Sequence, residues 1–427
     1  MTTTLPRPAM STFRVVVAGG GLVGLCSAWY LARRGVDVVV LERAGIGAGA
    51  SRGNAGIVAA GHPPLNRPGK VRQALPRLFD PRSPLYVRAR RDVGVWRWLA
   101  AFARHCTRRH ERRCLETLAP LGLDTLACFD AIVGEEGIAC EYRRGSYLEV
   151  CVGGKAMAKA REDAALMRGH GYHPEVVDGI QAREVEPALG PRVTGGVLFP
   201  ETRILDPYLF LLGLAEAARR RGVSIREGAA VRRLTFAGGA VRGVETADGE
   251  RVAADAVVLA TGPFSLALAR QAGFPLPIQP GKGYHREVAV GPDGAPAMRV
   301  ACTNRDTGII CTPLEGRVRF VGTMEFAGYD LELDPIRLEQ LTLKPRAWLP
   351  AVGDAPPVSE WCGLRPMSPD GLPCVGPLGN VGGLSVAVGH GNLGLTLSAV
   401  TGKMVANQVT GTGDPRLAPL SPARFRS

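Results

Sequence analysis

Residues 14–56 read RVVVAGGGLVGLCSAWYLARRGVDVVVLERAGIGAGASRGNAG, and their order of elements decides the fold. Arg14 to Ala18 is apolar and β-branched, as a strand buried on both faces should be. Gly19, Gly20, Gly21 and Gly24 follow at G-x-G-x-x-G spacing. The first glycine permits the tight turn, Gly21 allows a pyrophosphate to approach the backbone, and Gly24 allows the helix to pack on the strand. Leu25 to Arg34 then reads as a helix whose N-terminus faces the phosphates, where free N–H groups and the dipole favour anions. Gly35 ends it, Val36 to Leu41 is a second strand, and Glu42 closes that strand. An acid there accepts hydrogen bonds from the ribose hydroxyls of an adenosine and disfavours a 2′-phosphate. Strand, helix, second strand and acid in register point to a dinucleotide; a glycine turn without a ligand is the weaker alternative.

Length and composition bound the rest. At 427 residues the chain is long enough for two or three domains, and 46% hydrophobic residues suit an ordinary globular protein. No continuous apolar run reaches the roughly 18 residues that span a bilayer. MTTTLPRPAMSTF lacks the apolar core of a signal peptide, so a cytoplasmic location is expected. The ten cysteines show no C-x-x-C pairing, and the seven histidines no ligand spacing. Reduced core thiols are expected, with no metal. Much of the net charge of +13 is local: Arg88, Arg90, Arg91 and Arg97 precede RHCTRRHERR, Arg104 to Arg113, with Trp96, Trp98, Leu99 and Phe102 interleaved. This is either a solvated basic helix face or a helix lying on an anionic membrane, with arginines on head groups. No nucleic-acid motif accompanies the charge.

The chain returns twice to its opening unit. Tyr208 to Arg221 reads as a helix, followed by β-like runs at Val223 to Ile225, Ala229 to Phe236, Ala240 to Thr246 and Arg251 to Ala260. These read as a meander ending in DAVVLATG, Asp255 to Gly262. From Glu360 onward, WCGLRPMSPDGLPCVGPL, the strand LSVAVGH and GNLGLTLSAVTGKMVANQVT repeat the order of strand, glycine turn and helix. The expected architecture is α/β: a discontinuous Rossmann-like nucleotide domain (residues 11–62, 203–267 and 360–427) with a second, α+β domain carrying a mixed or antiparallel sheet. That second domain is built from residues 63–202 and 268–359.

Four stretches together resemble the D-amino-acid oxidase family of FAD flavoproteins, and within it most resemble the bacterial D-amino-acid dehydrogenases of the small-subunit type. They are VAGGGLVGL with Glu42-Arg43, SRGNAG at Ser51 to Gly56, QPGKGYH at Gln279 to His285, and CGLRPMSPDGLPCVGP with GHGNLGLT toward the C-terminus. The resemblance spans nearly the whole chain in order and implies FAD rather than NAD. It implies that Gly19, Gly21, Leu22, Val23, Gly24, Glu42 and Arg43 hold the adenosine diphosphate part, and that Ser51, Asn54, Ala55 and Gly56 run beside the flavin. Val231 would hold the adenine by its backbone, with Ala260, Thr261 and Gly262 close by. Gly389, His390, Gly391, Leu393, Gly394, Leu395 and Thr396 would cover the pyrimidine side of the ring. Some relatives attach the flavin to a cysteine near the stretch matching Leu364 to Pro369; Cys362 is close but out of register, so noncovalent FAD is expected.

An amino acid offers a carboxylate, an amine and an α-hydrogen. The carboxylate calls for a forked cation, and Arg365 in Gly-Leu-Arg-Pro is the match; the alternative is a structural arginine. Tyr284 supplies a second contact or is a plain core tyrosine, and His62 reaches the substrate or sits idle in a turn. The expected reaction is α-hydride transfer from a D-amino acid to flavin N5, with water then converting the imino acid to a 2-oxo acid and ammonia. Electrons would pass to a quinone or another acceptor. The rivals are oxidation of glycine, sarcosine or a cyclic imino acid such as D-proline or hydroxyproline, and a flavin-carrying electron-transfer subunit without its own substrate.

Overall fold

The computed structural model describes residues 13–59, 61, 63–88, 92–291, 296–304 and 306–426. His62, Arg90 and Arg91 lie outside them.

Strand β1 (Arg14–Ala18), helix α1 (Leu22–Ala32) and strand β2 (Asp37–Leu41) form in the expected order. β1 is buried from Val15 to Ala18, and it takes β2 on one side and Ala256–Leu259 on the other, both in parallel. The sheet has six strands in the order Cys374–Pro377, Leu384–Val388, Ala256–Leu259, β1, β2, Ser224–Arg226, with only the first antiparallel to its neighbour. α1 is apolar all round and is covered by the C-terminal helix Gly394–Val409 and by Pro207–Arg220, as an interior helix must be.

The expected meander is smaller than the sequence suggests. Only Val231–Ala237, Ala240–Thr246 and Arg251–Ala253 form it. Ser224–Arg226 and Ala256–Leu259 leave it for the main sheet. The break falls at Asp255, whose carboxylate accepts a hydrogen bond from the Arg14 N–H (2.8 Å) and so fastens the start of β1.

The second sheet has ten strands. Its path runs Pro357–Met367, Gln279–Ala289, Arg317–Phe326, Ile309–Leu314, Ala301–Asn304, Arg143–Cys151, Gly195–Ile204, Ile57–Ala59, with Leu85–Val87 and Glu175–Asp178 paired beside it. It is mostly antiparallel, with Ala301–Asn304 and Leu85–Val87 joined in parallel. The expected limits at 62/63 and 359/360 do not coincide with the sheets: Ile57–Ala59 and residues 360–367 pair within the second one.

Helix Arg108–Glu136, placed by sequence with the second domain, packs on Gly394–Val409 and gives Leu121, Phe129 and Ile132 to the nucleotide-side core. It contains an 18-residue window of mean hydropathy 1.3, half of it buried inside the protein. Asp124 and Asp130 fall inside this window, so no continuous apolar run spans it. Within the basic segment, Trp98 is also a core residue, its indole N–H donating to the Met367 carbonyl (3.0 Å). Trp96 stays 43% exposed among the exposed side chains of Arg97 and Arg104.

Candidate active site

A cavity of about 520 Å³ runs between the two sheets. At one end it is bounded by the glycine turn. Gly19 has φ +110°, and a Cβ there would sit 2.5 Å from the Ala260 carbonyl oxygen. A Cβ on Gly24 would sit 2.0 Å from the Gly19 oxygen, so this glycine sets the contact between α1 and β1 rather than the cavity wall. Glu42 ends β2 and accepts from the Gly20 N–H (2.8 Å) and the Ala44 N–H (3.1 Å), tying the turn to the strand. The Ser51 hydroxyl accepts from the Leu22 N–H (3.0 Å), and the Arg43 guanidinium lies 3.7 Å above the Phe264 ring centre.

The loop Ser51 to Gly56 is held chiefly from the second domain. His285 Nδ1 donates to the Gly53 carbonyl (3.1 Å), Arg319 to the Asn54 carbonyl (3.1 Å) and Thr312 to the Ala55 carbonyl (2.7 Å). Within the loop, the Asn54 amide donates to Ser51 and accepts from the Gly56 N–H. Arg319 is itself fixed by Glu287 and Asp206, and Arg317 pairs with the same two carboxylates, so neither is left without a cation.

The cavity lining includes Gly19, Gly21, Leu22, Val23, Glu42, Arg43, Ser51, Asn54, Val231, Ala260, Thr261 and Gly262 from the expected cofactor set. From the C-terminal turn it includes His390, Gly391, Gly394 and Leu395. Gly24, Ala55, Gly56, Gly389, Leu393 and Thr396 stand behind it. The Gly389 carbonyl accepts from Ser368, Thr396 bonds the Ile57 carbonyl, and a Cβ on Gly56 would strike the Leu205 oxygen. Trp361, Leu331, Gly283 and Asn392 also line the cavity and were not expected. Alternation places Trp361 on the same strand face as Arg365, but its contacts with Gly53 and His285 come from distant segments; Gly283 lies on the neighbouring strand opposite Gly363, and Leu331 sits in an irregular segment with no pattern to read.

Arg365 lines the cavity from the second sheet. It lies on strand Pro357–Met367, and its Nη1 donates to the Thr323 carbonyl (2.8 Å). Opposite Gly283 the neighbouring strand carries a bulge: Lys282 pairs with Glu325 and Tyr284 with Gly322. Thr323 there has φ +59°. A bulge of this kind re-aims backbone groups beside a site; here it turns one carbonyl to Arg365, while the next, Met324, accepts from Arg337. Among the described residues no carboxylate lies within ion-pair distance of Arg365. Burial, and secondarily Arg337, pulls its pKa down to about 10. A desolvated cation without a counter-ion is costly until an anion arrives.

Tyr284 is corrected by the structure. It is fully buried on the opposite face of its strand from Gly283, and its hydroxyl donates to Glu325 inside the second-domain core. Alternation along a strand sends neighbours to opposite faces, so the Gly-Tyr pair can place only one of them in the cavity. Cys362 likewise faces that core, its thiol donating to the Leu331 carbonyl (3.1 Å).

His390 is 4% exposed and bonded to Thr401 Oγ1 (3.0 Å), and burial pushes its pKa down to about 4. It is neutral at working pH. An unfolded chain binds this proton near pH 6.5, so the stabilisation is complete above 6.5 and is lost as pH falls toward 4, about 3 kcal/mol in all. His285 acts in the same window, its pKa drawn to about 4 by burial and then by Arg319. His390→Gln is expected to flatten the fall in Tm between pH 7 and 5, measured by circular dichroism.

Glycine turn, acid-ended β2, helix N-termini from both ends of the chain and a long cavity fit FAD. With a half-buried arginine presented by a second sheet, they define a two-domain flavin-dependent oxidoreductase. Residues 14–408 match the model of the DAO family, FAD dependent oxidoreductase, and the chain belongs to that family; it is an enzyme with FAD as its cofactor. It is 36% identical over 420 residues to a D-amino acid dehydrogenase of Methylobacterium nodulans, covering 96% of this chain and 99% of that one. A D-amino acid dehydrogenase of Xanthobacter autotrophicus is 34% identical over 419 residues, 96% of this chain and 99% of that one. Glycine oxidase from Geobacillus kaustophilus superposes with TM-score 0.79 at 24% identity, covering 97% of this chain and all of that one. L-proline dehydrogenase from P. horikoshii superposes with TM-score 0.75 at 20% identity, covering 97% and 98%.

Proposed function

We propose that this enzyme oxidises a D-amino acid to the imino acid, which water converts to a 2-oxo acid and ammonia. The observation that carries the reading is Arg365, a half-buried, cavity-lining guanidinium with a backbone carbonyl on one nitrogen and no carboxylate partner among the described residues. Its fork suits a carboxylate held at two points. The relatives' names supply the amino acid and its handedness. Bound FAD supplies the two-electron acceptor at N5 for the α-hydrogen leaving as hydride.

The protein's part is to bind, orient and exclude water. Glu42 is the one carboxylate among the described lining residues, and it belongs to the glycine-turn end; His390 is neutral. Among the described residues lining the cavity beside Arg365, no group can take the α-hydrogen as a proton, which favours hydride departure from a substrate whose amine is already neutral. Cys362 facing the core supports noncovalent attachment.

For the acceptor we favour a membrane quinone. Exposed Trp96, with Leu75 and Phe79 also exposed and the Arg97 and Arg104 side chains in solvent, suits contact with an anionic surface from the cytoplasmic side. One experiment tests substrate and acceptor together: anaerobic titration with D- and L-amino acids, glycine, sarcosine and D-proline, followed by air or anionic vesicles loaded with a quinone. D-amino acids should bleach the flavin, and the vesicles should restore its colour faster than air. Bleaching by no amino acid would overturn the reading in favour of an electron-transfer subunit. Bleaching by glycine, sarcosine or D-proline alone would move the substrate to that class.

A further inference from the structure

The strand carrying Arg365 also carries Trp361 and Gly363, so all three share the face that lines the cavity. Their partners across the ladder are His285 for Trp361, Gly283 for Gly363 and Gly281 for Arg365. The two glycines at the centre are a floor without side chains, and both large side chains lean over it. A Cβ on Gly283 would lie 2.1 Å from Arg365 Nη1, and a Cβ on Gly363 would lie 2.2 Å from Cη2 of the Trp361 indole. Gly53, from the flavin-side loop, closes on the other edge of that indole, where a Cβ would meet ring carbons at 2.1–2.5 Å. His285 stacks on it at 5.3 Å between ring centres. The indole is therefore a fixed post rather than a mobile side chain.

Directly opposed Cβ positions in a sheet are about 4.5–5.5 Å apart. Adding the two short reaches above, the guanidinium and the indole edge stand within ~10 Å of each other across the glycine floor. A carboxylate, an α-carbon and a side chain of a few carbons, with bonds near ~1.5 Å, are no longer than that upper limit. Apart from Arg365, the described lining residues around it are uncharged: Trp361, Leu331, Leu364, Pro366 and the glycines.

We propose that Trp361 is a specificity-determining residue, its indole forming the wall for the substrate side chain opposite the Arg365 carboxylate anchor and selecting amino acids with uncharged, apolar side chains. This rests on the reading of Arg365 as that anchor. An acidic or basic side chain would meet the indole and Leu331 without a partner, which a buried site penalises heavily. A leucine-sized side chain loses its wall when the indole is removed, whereas an alanine-sized one does not reach it.

The test compares wild type, Trp361→Ala and Trp361→Phe. It measures kcat/KM with a dye acceptor for D-alanine, D-leucine and D-glutamate, and FAD content by absorbance. Dissociation constants for acetate and 4-methylpentanoate are read from the flavin spectrum. Wild type should favour D-leucine over D-glutamate. Trp361→Ala should lose about 10- to 100-fold on D-leucine relative to D-alanine, keep FAD, and weaken 4-methylpentanoate but not acetate; Trp361→Phe should fall between. An unchanged leucine-to-alanine ratio would overturn the proposal. So would loss of FAD with that ratio intact, which would assign the indole to the cofactor. If the alanine variant does not fold, the phenylalanine variant carries the same ratios. If wild type oxidises no amino acid, the proposed function fails instead, and the ratio of the two carboxylate dissociation constants still decides the role of Trp361.

Discussion

Arg365→Ala is expected to raise KM for amino acids by about 30- to 4,000-fold while the protein keeps its FAD. The range follows from removing one partner of a buried charge pair, which costs roughly 2–5 kcal/mol. Steady-state kinetics beside the flavin absorbance checks it. The effect should fall on KM more than on kcat, because the guanidinium binds the carboxylate alike in the ground and transition states. Arg365→Lys should recover only part of the loss. Lysine keeps the charge but not the fork, and it cannot both bond the Thr323 carbonyl as Nη1 does and grip two carboxylate oxygens. Unchanged kinetics in the alanine variant would remove Arg365 from the site.

Gly24→Ala should abolish FAD retention through purification. Its new methyl would sit 2.0 Å from the Gly19 carbonyl oxygen, a backbone atom that cannot rotate away. α1 must move off β1, and the N–H groups at its start leave the place where the pyrophosphate lies. Overpacking costs about 1–3 kcal/mol in fold stability, so the variant should remain folded with a lowered Tm and emerge colourless. Absorbance at the flavin bands and a thermal melt measure both. A yellow variant of wild-type Tm would show that α1 is not locked to β1 at this point.

What the sequence discloses follows from how local the constraint is. Gly19 to Glu42 is legible because each residue there answers to its neighbours: a turn that needs positive φ, a helix N-terminus, a strand stop. Arg365 is legible because Pro366 and Gly363 make it stand out within a short motif. Tyr284 is misread because which face a strand residue takes depends on register set by distant strands, and a one-residue change reverses it. Trp361 goes unnoticed because its partners, Gly53 and His285, come from two other segments. Helix Arg108–Glu136 is recognisable as a helix, but nothing in its own residues says that it belongs with Gly394–Val409. The bulge at Thr323 has no local signature, since a threonine at φ +59° is imposed by its surroundings.

The scattering of the nucleotide domain along the chain also fixes a timetable. β1 leaves the ribosome well before its neighbours on one side: Val15 pairs with Ala256, and Leu384–Val388 lies one strand further out. Contacts so distant in sequence form slowly. Until the last strands and the closing helix are made, the apolar strand that carries the glycine turn has no covering, and the Gly53 loop has no His285 or Arg319 to hold it. Cofactor loading must therefore wait for helix Gly394–Val409, and a chain stopped before that helix is expected to be an aggregation-prone, colourless fragment rather than a smaller flavoprotein.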